Sequence, residues 1–369
     1  MKLYKLEAIR GFAALYVLLH HTIPTDVHIG SFNIWNLFLF GQEAVMLFFL
    51  VSGFVINYSF QTSQDKSFRT YFTKRAVRIF APLSLVYLAC YLLESLKIGG
   101  LANPQLGDLL MNVFMLQDLV WATPNAIVAG YMGNGPLWSL SYEWWFYMLY
   151  FPIATQIAGK QSQNILVFTV AIIAGAIYIT HPVFVPRLLM YMAIWWIGVH
   201  LSNLYLKQGS IKFPDIKIPG LILSGLIALS LINVYLYWKA GHTPAFGVYP
   251  LREARHFSSA LVFLIGAVFW HKAHWVGFDL LLKPFMFIAP ISYGIYITHW
   301  NLMREATYFS FIENPVLRWF SYLAVVVIFS YLIELVFYPA VRKLIPRKKL
   351  GNKAESIHPK KSESVEQAL

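Results

Sequence analysis

The sequence has one cysteine, Cys90, in 369 residues. An internal disulfide is excluded, and the redox compartment cannot be read from cysteine usage. Charge is scarce too: 12% of residues are charged, against about 25% in a soluble domain. Together with 58% hydrophobic residues, that deficit excludes an ordinary soluble globular protein. Residues 98–159 contain no Lys or Arg. No internal repeat is visible, whereas many secondary transporters have one. The first apolar run offers no small-residue cleavage site and carries Arg10, His20 and His21. It reads as a retained segment and not as a cleavable signal.

What is present is apolar and aromatic. The 12 Trp and 22 Tyr suit a chain with many membrane–water boundaries, where both residues concentrate. A membrane span needs about 20 mostly apolar residues. Ten candidates result: 7–24, 36–58, 79–97, 137–158, 164–180, 187–206, 218–238, 258–272, 285–302 and 316–339. The eighth is short and extends back towards Arg255. Residues 108–121 are apolar but too short to span, and read as an interfacial or re-entrant helix. With the N-terminus cytoplasmic, 22 of the 29 Lys and Arg fall on that side and 7 on the other. This asymmetry predicts an all-α polytopic integral membrane protein of about ten helices with both termini cytoplasmic. The net charge of +12 is then topological, and nucleic-acid binding is not expected. The membrane domain covers residues 1–341. Residues 342–369 read as a polar, disordered cytoplasmic tail lying at the bilayer surface.

Five clusters break the apolar pattern. In IRGFAALYVLLHHT, Arg10 and His21 are eleven residues apart, three helical turns plus about 20°. They share a face, whereas His20 points about 80° away. Ionisable groups at that depth face a bundle interior or a wet cavity. His21 is therefore either functional or a neutral, hydrogen-bonded bundle histidine. In FRTYFTKRAVRIFAP, Arg75 and Arg78 share a face with Lys74 beside them. Guanidinium suits phosphate, but ordinary positive-inside charge would look the same. In LFFLVSGFVI, Ser52 and Gly53 allow close helix contact. In GPLWSLSYEWWFY, Pro136 suits a helix start and Glu143 sits inside an aromatic run, where it needs a cation or a hydroxyl as partner. In SYGIYITHW, Ser292, Tyr296 and His299 line one helical face. His271 and His274 are also close in sequence, but two histidines without a third ligand do not make a zinc site, so no metal is expected.

Taken in order, these elements resemble the membrane-bound acyltransferase-3 family. The arginine–ten residues–histidine spacing falls on Arg10 and His21, and the FF…SGF element on Phe48, Phe49, Ser52, Gly53 and Phe54. Arg-x-x-Arg falls on Arg75 and Arg78. The WSL…E…FY element falls on Trp138, Ser139, Glu143, Phe146 and Tyr147. The late SYxxYxxH element falls on Ser292, Tyr293, Tyr296 and His299. The resemblance implies an acyl-CoA donor, usually acetyl-CoA, on the cytoplasmic side. It implies an acceptor hydroxyl on a cell-surface or exported glycan, and a bacterial inner membrane as location. It casts acyl-CoA as a substrate, with no permanently bound cofactor.

The expected site follows. His21 is a candidate general base, with Arg10 and Glu143 beside it. Arg10, Lys74, Arg75 and Arg78 are candidates for holding the donor's phosphates. Ser52, Trp138, Tyr147, Tyr296 and His299 are candidates for substrate contact. The competing reading is a proton-coupled transporter that uses His21, Glu143 and His299 as a relay.

Overall fold

A computed structural model describes residues 3–345. The described residues are mostly helical. Their strands are β1 (His28–Ile29) and β2 (Phe32–Asn33), a short antiparallel hairpin pairing Ile29 with Phe32. This hairpin follows α1 (Tyr4–Thr22) and leads through a 3-10 turn at Ile34–Phe38 into α2 (Gly41–Gln61). Next come α3 (Phe68–Ile98) and the short α4 (Leu106–Val113). A long irregular segment then leads to α5 (Trp138–Gln156), α6 (Lys160–Thr180), α7 (Phe184–Gln208), α8 (Lys217–Lys239) and α9 (Leu251–Lys272). The last part holds α10 (Phe278–Leu281), α11 (Ser292–His299), α12 (Pro315–Tyr331) and α13 (Tyr338–Leu344). The first residues read as tail, Arg342 to Leu344, finish α13; residues 346–369 lie outside the described residues.

Among the described residues, six helices are long and apolar enough to cross a membrane: 34–61, 68–98, 160–180, 184–208, 213–239 and 315–344. The structure is that of an integral membrane protein, with apolar side chains such as Leu221, Val262 and Ile328 turned outward. The stretches expected as the fourth, first and eighth spans are helical, as α5, α1 and α9, and α9 reaches back beyond Arg255, but none of them is among these six. They carry the polar groups that a span can tolerate only when these face inward. The ninth does not form one helix. Residues 283–304 instead run as two 3-10 turns, the eight-residue α11 and a π turn at Trp300–Arg304. Pro284 and Pro290 cannot continue a hydrogen-bonded helix, so this segment is broken backbone sheltered by its neighbours, the form irregular backbone takes at membrane depth.

Residues 108–121 divide differently from expectation. Only Leu106–Val113 is helical, and the chain then turns inward, burying Gln117 and Asp118.

Packing centres on α2. It lies between α1 and α7, and two glycines allow its close approach to α7. A Cβ on Gly53 would strike the carbonyl of Trp195, and one on Gly198 would strike the carbonyl of Leu50. Small residues serve helix contact in this way inside membranes. Around that contact lies an aromatic core of Phe49, Tyr142, Phe146, Tyr150, Trp195 and Trp196. Gly11 of α1 similarly faces the Phe285 carbonyl, so the broken segment is held against α1.

Candidate active site

Two cavities open at opposite ends of α2. The larger has a volume of about 1180 Å³ and reaches from the α2–α3 loop inward. Arg69, Lys74, Arg75 and Arg78 line it along α3, with Arg10 from α1, Ser52 from α2, and Glu143 and Tyr147 from α5. The smaller has a volume of about 480 Å³ and lies where α1 ends and α2 begins. His20, His21, Trp35, Gln42, Trp138 and Trp300 help to line it. Tyr296 lines both.

The basic ridge is built by α3. Ser67 caps the helix by accepting a hydrogen bond from the Thr70 amide, which fixes the first turns that carry the cations. Arg78 is paired with the buried Glu334 of the last span, and its guanidinium lies over the rings of Tyr293 and Tyr338 at 5.1 and 5.0 Å. Its charge is therefore already balanced by the protein. Arg75 has no ion-pair partner among the described residues. Its guanidinium lies 5.3 Å from the centre of the Tyr71 ring, and its Nε is buried without a hydrogen-bond acceptor. Arg10 lies within electrostatic reach of Arg78, Glu143 and Glu334. It thus belongs among the carboxylates inside the cavity and not at the mouth. Among the described residues, Arg10, Arg69, Lys74, Arg75 and Arg342 line this space without an ion-pair partner.

Glu143 accepts hydrogen bonds from the hydroxyls of Ser52 and Tyr147, each 2.5 Å long. Ser52 in turn accepts from Trp195 Nε1 at 3.2 Å. One motif thus divides its labour: Gly53 makes the helix contact and Ser52 serves the site. Glu143 makes no hydrogen bond to His21 among the described residues, so it organises the larger cavity and does not orient that histidine.

His21 faces the smaller cavity. Its ring stacks on His299 at 5.4 Å with planes 19° apart, and Trp300 meets it edge-on at 5.0 Å. No hydrogen bond occupies its ring nitrogens among the described residues. His20 points elsewhere, as helical arithmetic requires: its Nδ1 contacts the Phe38 carbonyl at 2.5 Å, which ties α1 to the turn before α2. Its ring still reaches the rim of the same cavity. His299 is fully buried and lines neither cavity. Its Nδ1 contacts the Ile295 carbonyl at 3.0 Å, so it supports His21 from behind.

Several functional-looking residues escaped sequence reasoning. Glu334 is one, although an acid inside the last apolar run satisfies the same rule that singled out Glu143. Asp118 and Arg187 form another pair, both with fully buried side chains. Tyr142 bridges them, donating to Asp118 at 2.7 Å and accepting from Arg187. Nearby, Arg252 pairs with Glu253 at 2.8 Å and donates to Thr123 at 2.7 Å. These pairs pin the irregular segment between α4 and α5, which contributes Leu119, Trp121, Gly135 and Pro136 to the smaller cavity.

An acyltransferase-3 family model, described as an acyltransferase domain, matches residues 3–335. The chain belongs to the acyltransferase-3 family. Membership places it among the acyltransferases, and the matched span holds every residue of both cavities except Tyr338, Arg342 and Ile345. Two relatives are similar to it in sequence. Acyltransferase MdmB of Streptomyces mycarofaciens is 32% identical over 187 residues, 48% of this chain and 45% of its own. Nodulation protein 10 of Rhizobium leguminosarum bv. viciae is 26% identical over 321 residues, 81% of this chain and 82% of its own. The chain thus spans less than half of MdmB and most of the nodulation protein. No solved structure matches.

Proposed function

We propose that this membrane acyltransferase moves a short acyl group, acetyl, from acyl-CoA in the larger cavity to a hydroxyl of a glycan in the smaller one. The observation that carries this reading is the pair of cavities at opposite ends of α2, one bearing unpaired cations and the other an unpaired histidine, with Tyr296 between them. Arg75, Lys74 and Arg10 suit the phosphates of a nucleotide donor. Arg78, already paired, keeps the ridge in shape through Glu334 and the two tyrosines. The cavity is long enough in chain terms, from Ser63 at its mouth to Ser52 inside, for an extended thiol arm to enter with the nucleotide left outside.

His21 takes the proton from the acceptor hydroxyl as that oxygen bonds to the thioester carbonyl carbon. The carbon–sulfur bond breaks, and the departing CoA thiolate recovers the proton. An imidazole with free ring nitrogens is suited to both transfers near neutral pH. The same reading puts the basic end of α3 and both termini in the cytoplasm, counts ten crossings by including α1, α5, α9 and the broken segment around α11, and places the protein in a bacterial inner membrane.

Purified protein should be stabilised against heat by acetyl-CoA and not by acetate alone. A transporter driven by protons would show no such shift and would carry solute in the absence of CoA.

A further inference from the structure

Tyr296 occupies the place where the two cavities meet, and its ring is held there by α2 and by the start of α5. Its hydroxyl donates to the Pro136 carbonyl at 2.7 Å and lies 2.6 Å from Ser139 Oγ, both at the start of α5. The Phe48 ring of α2 meets it edge-on at 5.8 Å. The Tyr296 side is 7% exposed, and Phe48 lines only the larger cavity. Pro136 lies in the turn that leads into α5, and its ring fixes φ in the backbone that presents this carbonyl. Swinging the ring aside would break both hydroxyl contacts, and unmade polar contacts are costly.

We infer that Phe48 and Tyr296 form the partition that limits the size of the transferred acyl group. The inference rests on the transfer reading above and deepens it, since it names the acyl class. A thioester carrying two or three carbons brings its carbonyl to the partition without displacing either ring. Each further methylene must be placed against Phe48 or Tyr296, in space that the rings already fill. Methylenes forced against a fixed wall displace side chains at a cost. On the donor side Ser52, Glu143 and Tyr147 are joined to one another, and Lys74, Arg75 and Arg78 lie along α3.

The experiment uses inverted membrane vesicles from cells making the full chain, which carry the natural acceptor. Incorporation of label into the glycan fraction is measured from radiolabelled acetyl-CoA and hexanoyl-CoA. The wild type should favour acetyl by at least about tenfold. Phe48→Ala removes one wall and leaves the Tyr296 hydroxyl contacts in place. It should raise the hexanoyl-to-acetyl ratio by about tenfold or more, roughly two methylenes' worth of burial. Phe48→Leu, a milder change, should raise the ratio for butyryl-CoA and keeps the test decisive if the alanine variant fails to insert. A wild type that takes both donors equally, or inserted variants with an unchanged ratio, would overturn the partition. Wild-type vesicles that incorporate label from neither donor would instead overturn the transfer reading itself.

Discussion

Replacing Asp118 by alanine should cost more stability than any surface substitution in this protein. Its carboxylate accepts from the Leu119 amide at 2.7 Å, Thr123 Oγ1 at 3.1 Å and Tyr142 OH at 2.7 Å, and it pairs with Arg187. Both members of the ion pair are fully buried. Removing one partner of such a pair leaves a charge stranded in a low-dielectric interior, at a cost of about 3–5 kcal/mol. That is a factor of roughly two to three and a half powers of ten in the folded ratio. An exposed ion pair would cost about 1 kcal/mol or less. Unfolding in mixed micelles, titrated with SDS and followed by tryptophan fluorescence, reads the difference. The double substitution Asp118→Leu with Arg187→Met removes both charges and should recover much of the loss. Because Asp118 anchors the segment that supplies Leu119 and Trp121 to the smaller cavity, the single variant should also slow transfer to the acceptor while acyl-CoA binding holds. A loss below about 1 kcal/mol, or a double variant no better than the single one, would refute the account of this cluster.

Two further outcomes follow from local geometry. Arg75→Ala should raise the KM for acyl-CoA about tenfold or more, the loss of one charge-assisted contact, and an unchanged KM would return Arg75 to a topological role. Gly53→Ala should lose about 1–3 kcal/mol by overpacking, because its Cβ meets the Trp195 carbonyl; Gly100→Ala, with nothing within 4 Å, should change little in the same unfolding assay.

The parts legible in the sequence were those governed by one helix at a time. Arg10 and His21 share a stripe because 3.6-residue periodicity fixes it, and His20 falls off that stripe for the same reason. Length and apolarity found the six clear spans. What the sequence hid came from contacts between distant segments. Asp118, Arg187, Arg252 and Glu253 interrupt or border apolar runs, and no local pattern marks them as partners; only tertiary pairing shows them joined and buried. The broken segment around α11 read as a span because its apolar residues outweigh Pro284 and Pro290 in any window. Its true form depends on Gly11 and neighbouring helices sheltering irregular backbone. Glu334 was hidden by its setting, since one acid in a long apolar run barely lowers the run's average.

The most direct test of the central claim is transfer by His21→Ala. Inverted vesicles bearing equal amounts of inserted wild type or variant receive radiolabelled acetyl-CoA, and label in the glycan fraction is counted against time. The account predicts that the variant loses about two to four powers of ten in rate while its KM for acetyl-CoA stays near the wild-type value, since His21 lines the other cavity. Transfer by His21→Ala at the wild-type rate would contradict it.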